Sequence, residues 1–241
     1  TPADGGEDVE APTMTIKVNS FLTESSPLTD GTKAIVANIP EYTNGTIQTE
    51  GYYNGNLIGF MDTWEKVKFN TVAMPVTDSN LQAAVKAKIK YLRESMGRGV
   101  QAVVPDFPAD YEGIISVKNG YAIDDDKLST AEATAWVAGA TAGASYVESL
   151  TYNAVDGATD LVDALTHEEY VDAISKGHFV FSISEENKVV VEYDINSLTS
   201  FKQPKDETYR KNRVIRVFDT FEEAVQLNFP PNKYGNYGDG W

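Results

Sequence analysis

Residues 69–106 hold a short apolar run, FNTVAMP (69–75), a long run with helical spacing, LQAAVKAKIKYLRESMG (81–97), and a second short apolar run, VQAVVPD (100–106). The outer two have the length and valine content of buried strands. In the middle one Leu81, Ala84, Val85, Ala87, Ile89 and Leu92 recur as one face of a helix. Asp78-Ser79-Asn80 stands where a helix cap belongs, and Gly97 and Gly99 bracket the end. A helix between two apolar strands is the pattern of a parallel pair, so this stretch predicts an α/β domain.

The remaining segments fit a mixed β-sheet flanked by helices, with a small β-rich N-terminal part. TMTIKVN (13–19) and KAIVANI (33–39) read as strands, and residues 1–52 as a β-rich segment, the end of a preceding or inserted β subdomain. Residues 53–241 form the α/β core. In it NLIGFMDTWEKV (56–67) is a short amphipathic helix, and GIISVKNG (113–120) a strand ending in an Asn-Gly turn. HEEYVDAISKG, capped by Thr166, is a short acidic helix. HFVFSIS (178–184) and KVVVEYDI (188–195) make a hairpin around Glu186-Asn187. DETYRKNRVIRVFDTFEEAVQLNF (206–229) is one long helix, stopped by Pro230-Pro231.

The run STAEATAWVAGATAGAS (Ser129–Ser145) admits a membrane segment, a cofactor cradle or a closely packed helix. Its uncharged part, Ala133 to Val147, is 15 residues, short of the ~18–20 that a membrane-spanning helix needs. A nucleotide cradle needs its glycines before the helix, and here they lie inside it. On a helix Ala135, Gly139, Ala142 and Gly143, with Ala138 beside them, line one face. The expectation is that this face packs closely against a sheet or helix, with Trp136 filling a gap at its edge.

A formal charge of −16 repels phosphate backbones and anionic lipid, which argues against nucleic-acid binding and membrane insertion. The chain has no cysteine, so disulfides, thiolate nucleophiles and Cys-ligated zinc are excluded. No Walker loop, dinucleotide fingerprint or nucleophile elbow occurs. The two histidines, His167 and His178, lack zinc-protease spacing, and Asp124-Asp125-Asp126 lacks the calcium-loop pattern, so it reads as a solvated turn. No catalytic residue, metal or cofactor is expected. The one enzymatic alternative is a small hydrolase-like α/β enzyme using the loop carboxylates Asp106, Asp110 and Glu112, just past a strand's C-terminal end.

Arg210, Lys211, Arg213 and Arg216 place four of the chain's 20 basic residues in one short stretch of an acidic protein. They are either a solvated face opposite Val214, Val217, Phe218 and Phe221, or a docking face for an acidic neighbour such as another copy of this chain.

The run W-V-A-G-A-T-A-G-A-S, preceded by D-x-E-G-I-I-S-V-x-N-G (Asp110–Gly120), closely resembles the tail sheath proteins of contractile phages and phage-like bacteriocins of Gram-positive bacteria. The resemblance continues in order through FNTVAMP, VQAVV (100–104), VVVEYDINSLTSF (189–201) and KNRVIRVFD (211–219), and spans roughly residues 55–240. It implies a structural subunit, not an enzyme: copies polymerise in a helical array around an inner tail tube protein and contract to drive it through a bacterial envelope. Baseplate and tail terminator proteins are the further partners it implies. The location it implies is a virion tail or phage-like particle assembled in the host cytoplasm. Family members are longer at both ends and link neighbours by strand addition, so the chain is expected to be a core fragment lacking the C-terminal linking strands and able to stay monomeric.

Overall fold

Helix caps and strand pairing account for most of the architecture, which a computed structural model describes over residues 57–228. The expected N-terminal strands and β-rich segment of residues 1–52, and the tail from residue 229, lie outside the described residues. The chain divides between Val67 and Lys68. On the N-terminal side the described element is α1 (Leu57–Thr63), followed by Trp64, whose ring meets Phe60 edge-on at 5.8 Å.

From Lys68 onward the expected strand–helix–strand unit forms: β1 (Thr71–Ala73), α2 (Ser79–Glu94) and β2 (Gln101–Pro105), with β1 and β2 parallel. Asp78 is extended, and its carboxylate accepts from the N–H groups of Asn80 and Leu81, satisfying two donors that a helix start leaves open. Val85, Ile89 and Leu92 are fully buried. The fourth buried residue of this helix is polar: Gln82, whose amide donates to the carbonyls of Val76 and Pro105. Gly97 ends the helix region at φ +62°, the left-handed conformation glycine tolerates best.

β3 (Ile114–Val117) and β7 (His178–Phe179) complete a four-stranded parallel sheet in the order β1-β2-β3-β7. All five residues of β2 and all four of β3 are buried, as in parallel sheets covered on both faces. Helix α3 (Thr130–Gly143) lies across β1, β2 and β3, and α2 packs on β2.

The chain leaves this sheet at Asn119-Gly120. The sequence predicts a turn there, but Gly120 instead opens β4 (Gly120–Ile123) of a second, antiparallel sheet, which β5 (Asp126–Leu128) and β6 (Ala158–Val162) flank. Asn119 is fully buried, and its amide donates to the carbonyl and accepts from the N–H of Phe181, both at 2.9 Å. One side chain thus replaces a strand partner at the switch between sheets. A Cβ on Gly120 would stand 2.0 Å from the Leu128 carbonyl oxygen, so only glycine fits.

Three other expectations change. HFVFSIS is two strands: β7 joins the parallel sheet, and β8 (Phe181–Ile183) pairs with β9 (Val189–Val191) in the expected hairpin. The helix expected over 206–229 is a 3-10 turn (Glu207–Arg210) followed by α5 (Asn212–Asn228). It breaks because Lys211 is extended and bridges Ile195, while Asn196 N–H donates to Arg210 O and Asn212 N–H to Asp194 O.

The third change concerns α3. Its start is closed by a capping box between Ser129 and Glu132, matched by Thr166–Glu169 on α4 (His167–Ser175). The helix, however, buries Ala133, Thr134, Val137, Ala138 and Thr141, and exposes Ala135, Gly139, Ala142 and Gly143. A Cβ on Gly139 or Gly143 would meet nothing within 4 Å. The smallest face points away from the sheet because burying glycine removes almost no apolar area from water, whereas Val137 does. Trp136 does sit at the edge, its ring 5.7 Å from Phe181 and 6.5 Å from Tyr121.

Candidate assembly surface

α5 carries the surface that the sequence marks out, and it is anchored by charge. Arg93, near the end of α2, makes a two-point pair with Asp219: Nη1 to Oδ2 at 2.9 Å and Nη2 to Oδ1 at 2.7 Å. Their side chains are 13% and 17% exposed, and Nη1 also reaches the Val100 carbonyl. Burial opposes the Arg93 charge, but the hydrogen bonds and charge of Asp219 outweigh it and raise the guanidinium's pKa. Gly99 lets α5 come this near, since a Cβ there would be 2.5 Å from the Asp219 Cβ. Lys68 pairs with Glu223, and Gln226 donates to Gly97 O.

A second charged anchor lies at the start of the helix. Arg216 Nη2 donates to Asp194 Oδ2 at 2.9 Å and to the Glu148 carbonyl at 2.7 Å. Asp194 is 1% exposed and also accepts from Leu150 N–H and the Asn212 amide. Asn212 in turn accepts from Gln101 of β2, tying α5 to the parallel sheet.

The inward side of α5 is therefore polar, and the helix buries only Asn212 and Ile215. Its apolar side faces out: Val217, Phe218, Phe221, Val225 and Leu227 are exposed, Phe221 at 68% and Leu227 at 69%. Phe218 stacks on Tyr209 with centroids 5.1 Å apart. One of the two sequence readings sets the basic residues as a solvated face opposite Val214, Val217, Phe218 and Phe221; in the structure Val217, Phe218 and Phe221 are themselves exposed, because Asp219, Glu223 and Gln226 find partners on the core side.

The four basic residues separate accordingly. Arg216 is 10% exposed and belongs to the interior. Arg210, last in the 3-10 turn, is half-buried, and its Nε and Nη2 are buried without a hydrogen-bond partner among the described residues. Burial lowers its pKa, offset in part by Glu207. Lys211 and Arg213 are exposed. Arg210, Lys211 and Arg213 line a cleft of about 520 Å³ with Glu207, Tyr193 and Ser149.

The three loop carboxylates serve separate structural ends. Asp106 pairs with Lys118 at 2.9 Å. Asp110 accepts from Thr199 N–H, Ser200 N–H and the Thr199 hydroxyl. Its partial burial favours the neutral acid, but these bonds from Ser200 and Thr199 win and hold the carboxyl at about 2. Glu112 is buried against Lys205. His178 Nδ1 lies 2.9 Å from Ser116 Oγ, and Nε2 lies 3.7 Å from Asp106. That resembles a hydrolase triad, but Ser116 is fully buried and its oxygen already accepts Phe107 N–H, a poor setting for a nucleophile. His167 opens α4 as expected, and the aspartates 124–126 lie exposed around the β4–β5 turn. Among the described residues no group of three or more metal-ligating side chains converges, and no helix is long and apolar enough to cross a membrane.

Residues 50–197 match the family of the phage tail sheath protein central domain. The chain is 40% identical over 169 residues to the phage-like element PBSX protein XkdK of Bacillus subtilis, a match covering 69% of this chain and 36% of that protein. Among solved structures, the sheath tail protein of Desulfitobacterium hafniense is 43% identical with a TM-score of 0.71, covering 77% of this chain and 45% of that one. The Listeria innocua sheath tail protein is 32% identical, also at 0.71, with 80% and 47% covered. The chain thus spans less than half the length of each of these relatives. With the family matched over most of the parallel-sheet domain and the fold shared with two solved sheath proteins, the chain belongs to the phage tail sheath family and carries its central domain.

Proposed function

We propose that this chain is the core of a structural subunit that polymerises with its own copies around an inner tail tube and contracts to drive that tube through a bacterial envelope. The observation that carries this reading is the orientation of α5, a helix pinned by buried ion pairs whose aromatic and aliphatic side chains are turned outward. In an isolated domain that arrangement leaves a broad apolar face in water, whereas in a subunit buried on several sides in an array that face is covered. Contraction then consists of rigid cores exchanging one set of contacts for another, with free energy stored in the difference between the two packings. On this reading the subunit assembles in the host cytoplasm, and baseplate and terminator proteins bound the array. The domain organisation is a central α/β core preceded by a β-rich segment, residues 1–52, with Arg210, Lys211 and Arg213 on a surface that faces another subunit or the inner tube and Arg216 supporting it from within. The test is electron microscopy of the complete gene product expressed alone. Hollow helical tubes are expected. Monodisperse particles at all concentrations and salt conditions overturn the proposal.

A further inference from the structure

We infer that the cleft at Arg210, Lys211 and Arg213 receives the acidic β4–β5 turn, Asp124-Asp125-Asp126, of a second copy of this chain. The inference rests on the sheath reading for its partner and on charge and geometry for its site. Among the described residues lining the cleft, three cations face Glu207 as the one unmatched carboxylate, because the charge of Asp194 is already matched by Arg216. Two nitrogens of Arg210, Nε and Nη2, are buried without an acceptor among the described residues, a cost that turning the guanidinium onto a carboxylate in the cleft would remove. Neither Lys211 nor Arg213 has an ion pair among those residues.

Asp124–Asp126 is the complementary shape. It lies at a two-residue hairpin turn, with Asp124 at φ +51°, and all three side chains are exposed. None of them has an ion pair among the described residues. The other hairpin tip, between β8 and β9, is a weaker candidate because its Glu186 is already paired with Lys188 at 2.8 Å. A net −16 chain repels its copies in general, so a local cationic socket selects one orientation out of many repulsive ones. Made once between neighbouring copies, with the turn of one in the cleft of the next, the contact is heterologous. Such a contact repeats from copy to copy into a ring or an open helix.

The absence of cysteine supplies a clean test. Asp125→Cys and Arg213→Cys, both at exposed positions, are purified separately, mixed under mild oxidation, and the disulfide-linked dimers quantified. The mixed dimer is expected to exceed each homodimer about fivefold, with the excess falling as salt screens the encounter. The control is Lys188→Cys with Arg213→Cys, from an exposed tip of the other hairpin, which is expected to give no excess beyond the roughly twofold ratio of random pairing. The 2:1:1 ratio of random pairing for every pair, or an excess indifferent to salt, overturns the inference. Tubes without the selective cross-link reject this contact and leave the sheath reading intact. The selective cross-link without tubes does the reverse.

Discussion

α3 and α5 are helices of similar length that meet the core in opposite ways. α3 is uncharged after its first turn, sits across three strands, and turns its smallest residues outward. α5 is strongly amphipathic, meets the core through Arg216, Asp219, Glu223 and Gln226, and turns its largest apolar residues outward. Helix α3 obeys the rule that the side which removes most apolar area from water goes in. Helix α5 breaks that rule because its docking surface offers Arg93, Lys68 and backbone carbonyls, and unpaired charge there costs more than exposed phenylalanine. The contrast separates a helix held by apolar packing from one held by charge, whose apolar face is left exposed.

The sharpest way to break the comparison is at the Arg93–Asp219 pair. Asp219→Ala leaves a guanidinium buried without its partner and is expected to cost about 3–5 kcal/mol. If α5 were a lightly held surface helix, thermal or urea unfolding would show a change near that of an ordinary surface substitution. In α3, Val137→Ala removes two fully buried methyl groups from the cluster formed with Phe179, Phe181 and Tyr121. A loss of about 2 kcal/mol is expected in the same assay.

A substitution on the opposite face of α3 has the opposite sign. Gly139→Ala adds a methyl group where nothing lies within 4 Å and replaces a poor helix former by the best one. A gain of about 0.5–1 kcal/mol is expected. Were the small-residue face the packed one, as the composition of the run implies, the same substitution would destabilise by overpacking.

Segments whose structure depends on near neighbours in sequence were legible. Asp78 as a cap, the two capping boxes, the valine-rich β2 and the spacing of Val85, Ile89 and Leu92 all follow from local chemistry. Features decided by distant partners were not. Asn119-Gly120 has the form of a turn signal, and only its pairing with Phe181, 62 residues away, makes it a sheet switch. The break at Lys211 is imposed by backbone pairing with residues 194–196. Arg216 is indistinguishable from Arg213 in sequence until Asp194 is found beneath it. The inversion of α5 did leave a trace: Asp219, Glu223 and Gln226 recur at helical spacing on one side, and Val217, Phe221 and Val225 on another. Spacing gives two faces, but which one goes in depends on the charge of the surface it meets.

The outward face of α5 gives the smallest effect on the isolated domain and the largest on anything it joins. Phe221→Ser removes a ring that is 68% exposed and lies outside the core of the described residues. Unfolding free energy is expected to move by no more than ~0.5 kcal/mol, while assembly of the complete gene product into tubes falls sharply, because a buried aromatic at an interface centre carries a disproportionate share of the contact energy. Asp219→Ala, in contrast, harms folding and assembly together. A Phe221→Ser protein that folds normally and also assembles normally would mean the apolar face stays at the surface of the array, and would place the subunit contacts on the cationic cleft and elsewhere.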